Sequence, residues 1–161
     1  MKNLQIRYEA DTGLVPKLIR FFTKSKVNHV FFWYESSDLP GGMVIEAALP
    51  GVRIIPTDGR TGIIQYQVKL DLCPGIQREK KLVGQKYDFG GLVLFALVLM
   101  AKQWISQKIK FPWRNTKRQL CSEFVARCLY PHFQFENCEW VTPQQILEIC
   151  ENNPDKFEKI V

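Results

Sequence analysis

Cys121 is the residue in this sequence best placed to do chemistry. It opens Leu120-Cys121-Ser122-Glu123-Phe124-Val125-Ala126-Arg127-Cys128-Leu129, in which Val125, Cys128 and Leu129 follow it on one face of a helix. Ser122 and Glu123 are polar and acidic types favoured in a first helical turn, where free N–H groups and the positive dipole end await an acceptor. A thiol held there has its thiolate stabilised, the condition for attack on a carbonyl carbon. The same spacing also describes an inert cysteine on a buried helix face. What separates the two readings is whether the chain supplies a base, a group that orients it and a donor for an oxyanion.

Two histidines are available as the base. His132 lies past the end of the cysteine helix, roughly 16 Å from Cys121, beyond hydrogen-bond reach, and suits a helix terminus or a surface. His29 stands near the start of Val27-Asn28-His29-Val30-Phe31-Phe32-Trp33-Tyr34, a strand by its β-branched and aromatic content. From there an imidazole can reach a helix N-terminus packed on the sheet, or serve as a satisfied polar residue at a strand end. Glu46 is the one charged residue in the apolar run Met43–Leu49. The turn Asp38-Leu39-Pro40-Gly41-Gly42 joins the two runs, so they are expected to pair, and a buried carboxylate calls for a partner such as an imidazole. Alternation alone equally allows Glu46 to face solvent. Tyr87, in Lys86-Tyr87-Asp88-Phe89-Gly90-Gly91, can donate to an oxyanion beside the Cys121 N–H, or be an ordinary core residue. Asp88 suits a helix cap.

The elements that must position these groups are legible in outline. Leu4, Ile6 and Tyr8 alternate as a strand, and Val15, Leu18, Ile19 and Phe22 mark an amphipathic helix after the turn and cap of Asp11-Thr12-Gly13. Met43–Leu49, Val52–Ile55 and Ile63–Leu72 read as further strands, giving a small antiparallel sheet from one contiguous part of the chain. A short charged helix is expected over Ile76–Gly84 and an apolar one over Gly90–Ala101. The latter is shorter than the ~20 residues that span a bilayer, so it is a buried central helix or one lying in a membrane interface. Pro131 stops the cysteine helix, and Thr142-Pro143-Gln144-Gln145 carries a capping box, with Val141 and Ile146 placed as a hydrophobic staple. Residues 1–161 therefore read as a single α+β domain, the sheet packed against helices.

Composition narrows the class. At 161 residues with 46% hydrophobic and 24% charged content, the chain is neither disordered nor a bare membrane protein. Five cysteines without a C-x-x-C pair or zinc spacing, behind an N-terminus lacking a signal-peptide core, predict reduced thiols in a cytoplasmic setting. The net charge of +6 is concentrated, because Phe89–Leu120 holds Lys102, Lys108, Lys110, Arg114, Lys117 and Arg118 and no acid. That patch fits an anionic membrane or wall polymer, with peripheral membrane association as one consequence, or it is a solvated face. With no helix-turn-helix or zinc module, charge alone speaks for nucleic acid.

Taken in order, these motifs resemble the papain-like cysteine hydrolases of the NlpC type, in particular the circularly permuted branch of YiiX/YebB-like and lecithin:retinol acyltransferase-like proteins. His29-Val30, then Val44-Ile45-Glu46-Ala47 with Pro50-Gly51-Val52, then Tyr87-Asp88-Phe89-Gly90-Gly91, then Cys121-Ser122-Glu123-Phe124-Val125 carry the likeness across about residues 12–130. The resemblance implies Cys121 as nucleophile, His29 as general base and acid, Glu46 as orienter and Tyr87 as an oxyanion or substrate contact, with no metal or organic cofactor. It implies an amide substrate, peptide or isopeptide as in peptidoglycan. The alternatives are a lipid or acyl-ester substrate at a membrane surface, and a non-catalytic module for an anionic surface.

Overall fold

Alternating apolar side chains lay down most of the sheet. In the computed structural model, which describes residues 3–36, 39–57, 59, 62–88, 90 and 118–161, the strands are β1 (Leu4–Glu9), β2 (His29–Ser36), β3 (Leu39–Ala48), β4 (Gly51–Pro56), β5 (Ile64–Val68), β6 (Lys86–Tyr87), β7 (Arg118–Gln119) and β8 (Phe157–Lys159). The helices are α1 (Leu14–Thr23), α2 (Cys73–Glu79), α3 (Cys121–Leu129) and α4 (Pro143–Asn152). Strand order is β7-β6-β4-β3-β2-β1-β5-β8, antiparallel throughout except for the parallel β6–β7 pair. The architecture is α+β, as the sequence predicts.

The sheet is larger than the expected contiguous one, because later segments extend both edges. β6 and β7 add to β4, and β8 adds to β5 with Phe157 opposite Val68. The strand expected over Ile63–Leu72 ends at Val68, and the charged helix begins at Cys73, earlier than expected. Asp71 Oδ1 accepts from the Cys73 N–H at 3.0 Å, and Pro74 fits the first turn, so the start is set there. α1 starts behind Gly13 without a side-chain cap, because Asp11 is bonded to Asn28 instead. The apolar helix expected over Gly90–Ala101, beyond Gly90 itself, lies outside the described residues, as do Lys102, Lys108, Lys110, Arg114 and Lys117.

One face of the sheet presents Ile6, Tyr8, Val30, Phe32, Ile45 and Ala47 to α3 and α4. α3 is the central rod: Cys121 to Ala126, Cys128 and Leu129 are all buried. Phe124 meets Phe32 edge to face at 6.3 Å and is 1% exposed, a burial that stabilises by about 1.5–3 kcal/mol. Across α3 lies α2, where a Cβ on Gly75 would come within 2.1 Å of the Cys128 carbonyl oxygen. Only glycine permits that approach. At the start of α4, the Gln145 N–H donates to Thr142 Oγ1 at 3.2 Å and the Thr142 N–H to Gln145 Oε1 at 2.8 Å, the expected reciprocal cap. The opposite sheet face carries a second cluster of Phe31, Trp33 and Val44, with the Arg7 guanidinium 3.9 Å over the Trp33 ring.

Candidate functional site

His29 owes its position to the residue before it. After α1 the chain reverses through Lys24 at φ 50. Asn28 is then fixed three ways: its N–H donates to the Glu9 carbonyl at 2.9 Å, its Oδ1 accepts from the Asp11 N–H at 2.7 Å, and its Nδ2 donates to Asp11 Oδ2 at 3.1 Å. β2 starts at once, so His29 shares a sheet face with Phe31, on which its ring stacks at 5.6 Å. Its Nε2 donates to Glu46 Oε2 at 2.8 Å. That bond fixes the tautomer and leaves Nδ1 to the second partner of the ring, the Cys121 thiol.

Glu46 lies on the sheet face carrying Val44 and is fully buried. Solvent exposure, one of the two readings alternation allows, is therefore not what happens. Its second oxygen, Oε1, accepts from Arg53 Nε at 2.8 Å and Nη2 at 2.6 Å. Arg53 stands opposite it in the β3–β4 ladder. The buried carboxylate is thus bonded through both oxygens, as its burial requires.

Cys121 is the first residue of α3 and 5% exposed. Leu120 is in extended conformation, and lacking a side-chain acceptor it cannot cap the helix; the Glu123 carboxylate reaches back to its N–H at 3.4 Å. Burial alone would raise the Cys121 thiol, but the hydrogen bond and charge of His29, with the backbone N–H groups of Val30 and Ser122, outweigh it and hold the pKa below the ordinary thiol value. Conversely, burial would lower His29, while its bonds to Cys121 and Glu46 push it up to about 10. The two shifts run in opposite directions, each caused chiefly by the hydrogen bond between the thiol and the ring.

Tyr87 enters from the edge. Its N–H donates to the Pro50 carbonyl at 3.0 Å, and it is the register partner of Gln119 in the parallel β6–β7 pair. Burial, then the negative charges of Cys121 and Asp88, drive its phenol well above its usual range, so it stays protonated and able to donate.

No family model matches the sequence, and no curated protein does.

The fold therefore brings Cys121, His29, Glu46 and Tyr87 to one end of the sheet. His132 is not among them: it is exposed and donates from Nε2 to the Asp71 carbonyl at 2.9 Å. Among the described residues no group of three or more His, Cys, Asp or Glu could hold a metal ion. Two contributors escaped the sequence reading. Arg53 was within reach of it, because pairing outward from the Pro50-Gly51 turn sets Glu46 against Arg53. Gln119 was not, since a two-residue strand leaves no periodic signal. Gln119 is 1% exposed, and among the described residues its Oε1 has no hydrogen-bond partner.

Glu123, also buried, has a structural task. Burial raises its pKa, and Arg127 answers it at 3.1 and 2.9 Å along the same helix.

Proposed function

We propose that this chain, over residues 1–161, is a permuted papain-like thiol hydrolase of the NlpC type that cleaves an amide bond through an acyl-enzyme. The observation that carries the reading is the His29 imidazole, bonded on one side to the Cys121 thiol and on the other to the buried Glu46 carboxylate. The arrangement supplies a nucleophile, a proton carrier and an orienter in one line.

The Cys121 thiolate attacks the carbonyl carbon, forming a C–S bond and moving the carbonyl electron pair onto oxygen. The Cys121 N–H at the start of α3 and the Tyr87 hydroxyl are the donors available to that oxyanion. The imidazolium of His29 passes its proton to the leaving nitrogen, and the C–N bond breaks to leave a thioester on Cys121. Neutral His29 then takes a proton from water, whose oxygen attacks the thioester carbonyl. The C–S bond breaks, the acid departs, and the thiolate–imidazolium pair returns. Glu46 stays ionised throughout, holding the ring and balancing its charge.

Peptide or isopeptide amides are the proposed substrates. Acyl esters follow the same steps with an alcohol leaving. Turnover of a panel of peptidoglycan-type peptides and acyl esters, followed by mass spectrometry, provides the test. An acyl adduct on the Cys121 peptide, absent in Cys121→Ala, is the expected result. Turnover that survives Cys121→Ala overturns the proposal.

A further inference from the structure

α1 forms the connection between β1 and β2 at the end of the sheet that carries the site, because Glu9 and His29 are register partners. On its outer side Leu14 and Phe21 are 74% and 71% exposed, and Leu18 is 44% exposed. Positions i, i+4 and i+7 make these three a single stripe along the helix. Lys17 is exposed, three residues after Leu14 and four before Phe21, so it borders the stripe; Lys24 and Lys26 follow, also exposed. From Thr12 to Tyr34 the chain carries Lys17, Arg20, Lys24 and Lys26 and no acidic residue. The acid just before it, Asp11, accepts from Asn28. A second apolar tip lies at the same end: Leu49, 63% exposed, sits in the β3–β4 turn, and β3 runs antiparallel to β2.

Large apolar side chains exposed together on a small domain mark an interaction surface. These project from a helix and from the tip of a turn, and a protein partner would need a matching concavity for each. A lipid interface needs none. Lysines bordering an apolar stripe lay their stems along it and raise their ammonium groups to the headgroup level, which matches anionic lipid by charge. We infer that α1, with Leu49, seats the His29 end of the sheet on an anionic phospholipid surface. Docking of this kind does not depend on the thiol chemistry. If both hold, the acyl bonds attacked by Cys121 are those presented at that surface, and this last clause rests on the function proposed above.

The full chain is sedimented with vesicles of phosphatidylcholine alone and of an equimolar mixture with phosphatidylglycerol. Sedimentation with the mixed vesicles, weakened by salt, is expected. Leu14→Ser with Leu18→Ser lowers that binding about tenfold or more, and Lys17→Glu with Lys24→Glu does the same. All of these positions are exposed, so circular dichroism should remain that of the parent. Cys121→Ala binds like the parent, which separates failure of docking from failure of the catalytic reading. Absence of sedimentation with either vesicle overturns the inference, as does parental binding by the folded Leu14→Ser, Leu18→Ser variant. A dimer that this variant dissolves, seen by light scattering, would assign the stripe to a second copy of the chain and overturn it too.

Discussion

Arg53 stands directly across the β3–β4 ladder from Glu46 and closes on one of its oxygens with two N–H groups, at 2.8 and 2.6 Å. Glu46 has no exposure to water, while the Arg53 side chain is 35% exposed. The arginine thus joins a buried charge to solvent, and the other oxygen is left for His29. Arg53→Gln removes the cation and keeps a donor. Breaking a buried ion pair costs several kcal/mol, but water already screens Arg53 and His29 still holds Glu46, so a loss of about 1–2 kcal/mol is expected in chemical denaturation. Unchanged stability would mean that Glu46 does not depend on this partner.

The pairing of Cys121 with His29 separates this thiol from the buried Cys128 and Cys150. Burial pushes Cys150 up to about 12 and Cys128 higher still, while Cys121 is held low by its histidine. Peptide mapping after brief iodoacetamide treatment at neutral pH should find Cys121 modified first, at least about tenfold faster than Cys128 or Cys150. His29→Asn should erase most of that advantage. Uniform labelling of all five cysteines in the parent chain would deny the ion pair.

The pH dependence follows from the opposite shifts of the same two groups. Thiolate forms as pH rises through the lowered pKa of Cys121, so reactivity should already be present below the ordinary thiol value of 9.0. The imidazolium that must protonate the leaving group is lost as pH rises through about 10. A bell in kcat/KM is expected, with its alkaline limb near that value. Glu46→Gln keeps a hydrogen-bond partner but removes the charge that favours the imidazolium, so the alkaline limb should move down and narrow the bell. Limbs that stay in place in Glu46→Gln would remove the carboxylate from the mechanism.

How these residues meet was only partly legible in the sequence. The strand pattern around Phe31 and Phe32, the apolar run around Glu46 and the helix after Cys121 are local signals, and each produced its element. The Glu46–His29 contact was one of two readings open to the sequence, because alternation alone leaves undecided which face a single charge takes. β6, β7 and β8 were not legible, since strands of two or three residues owe their existence to the edge they join rather than to their own alternation. Gln119 went unnoticed for that reason, although it lies two residues before the nucleophile. The stretch Asp11-Thr12-Gly13 predicts a turn and cap, yet the Asp11 carboxylate accepts from Asn28, distant in sequence but adjacent once β1 and β2 pair.

α3 is held in place partly by a contact that tolerates no side chain. A Cβ on Gly75 would lie 2.1 Å from the Cys128 carbonyl oxygen, and backbone atoms cannot swing aside as a flexible side chain would. Gly75→Ala should therefore push α2 from α3 and destabilise the fold by about 1–3 kcal/mol. Cys121 labelling should slow along with it, because the N-terminus of α3 must keep its distance from His29. A variant as stable and as reactive as the parent would show that α2 and α3 separate freely.

Tyr87 and Gln119 together test the oxyanion side of the site. They are register partners in the parallel β6–β7 pair, so both side chains share a sheet face. Tyr87 keeps its proton, since burial and the nearby thiolate both oppose ionisation. Tyr87→Phe removes only the hydroxyl, and kcat should fall about tenfold to a hundredfold with KM little changed, because the donor acts on charge present only in the transition state. The iodoacetamide rate at Cys121 should stay close to parental, since alkylation forms no oxyanion. Gln119→Leu tests a different role: among the described residues the buried amide oxygen has no partner, so its replacement should leave stability intact or improve it while raising KM if substrate supplies the missing donor. Equal losses of alkylation rate and turnover in Tyr87→Phe would make the tyrosine a support for the thiol rather than a contact for the oxyanion.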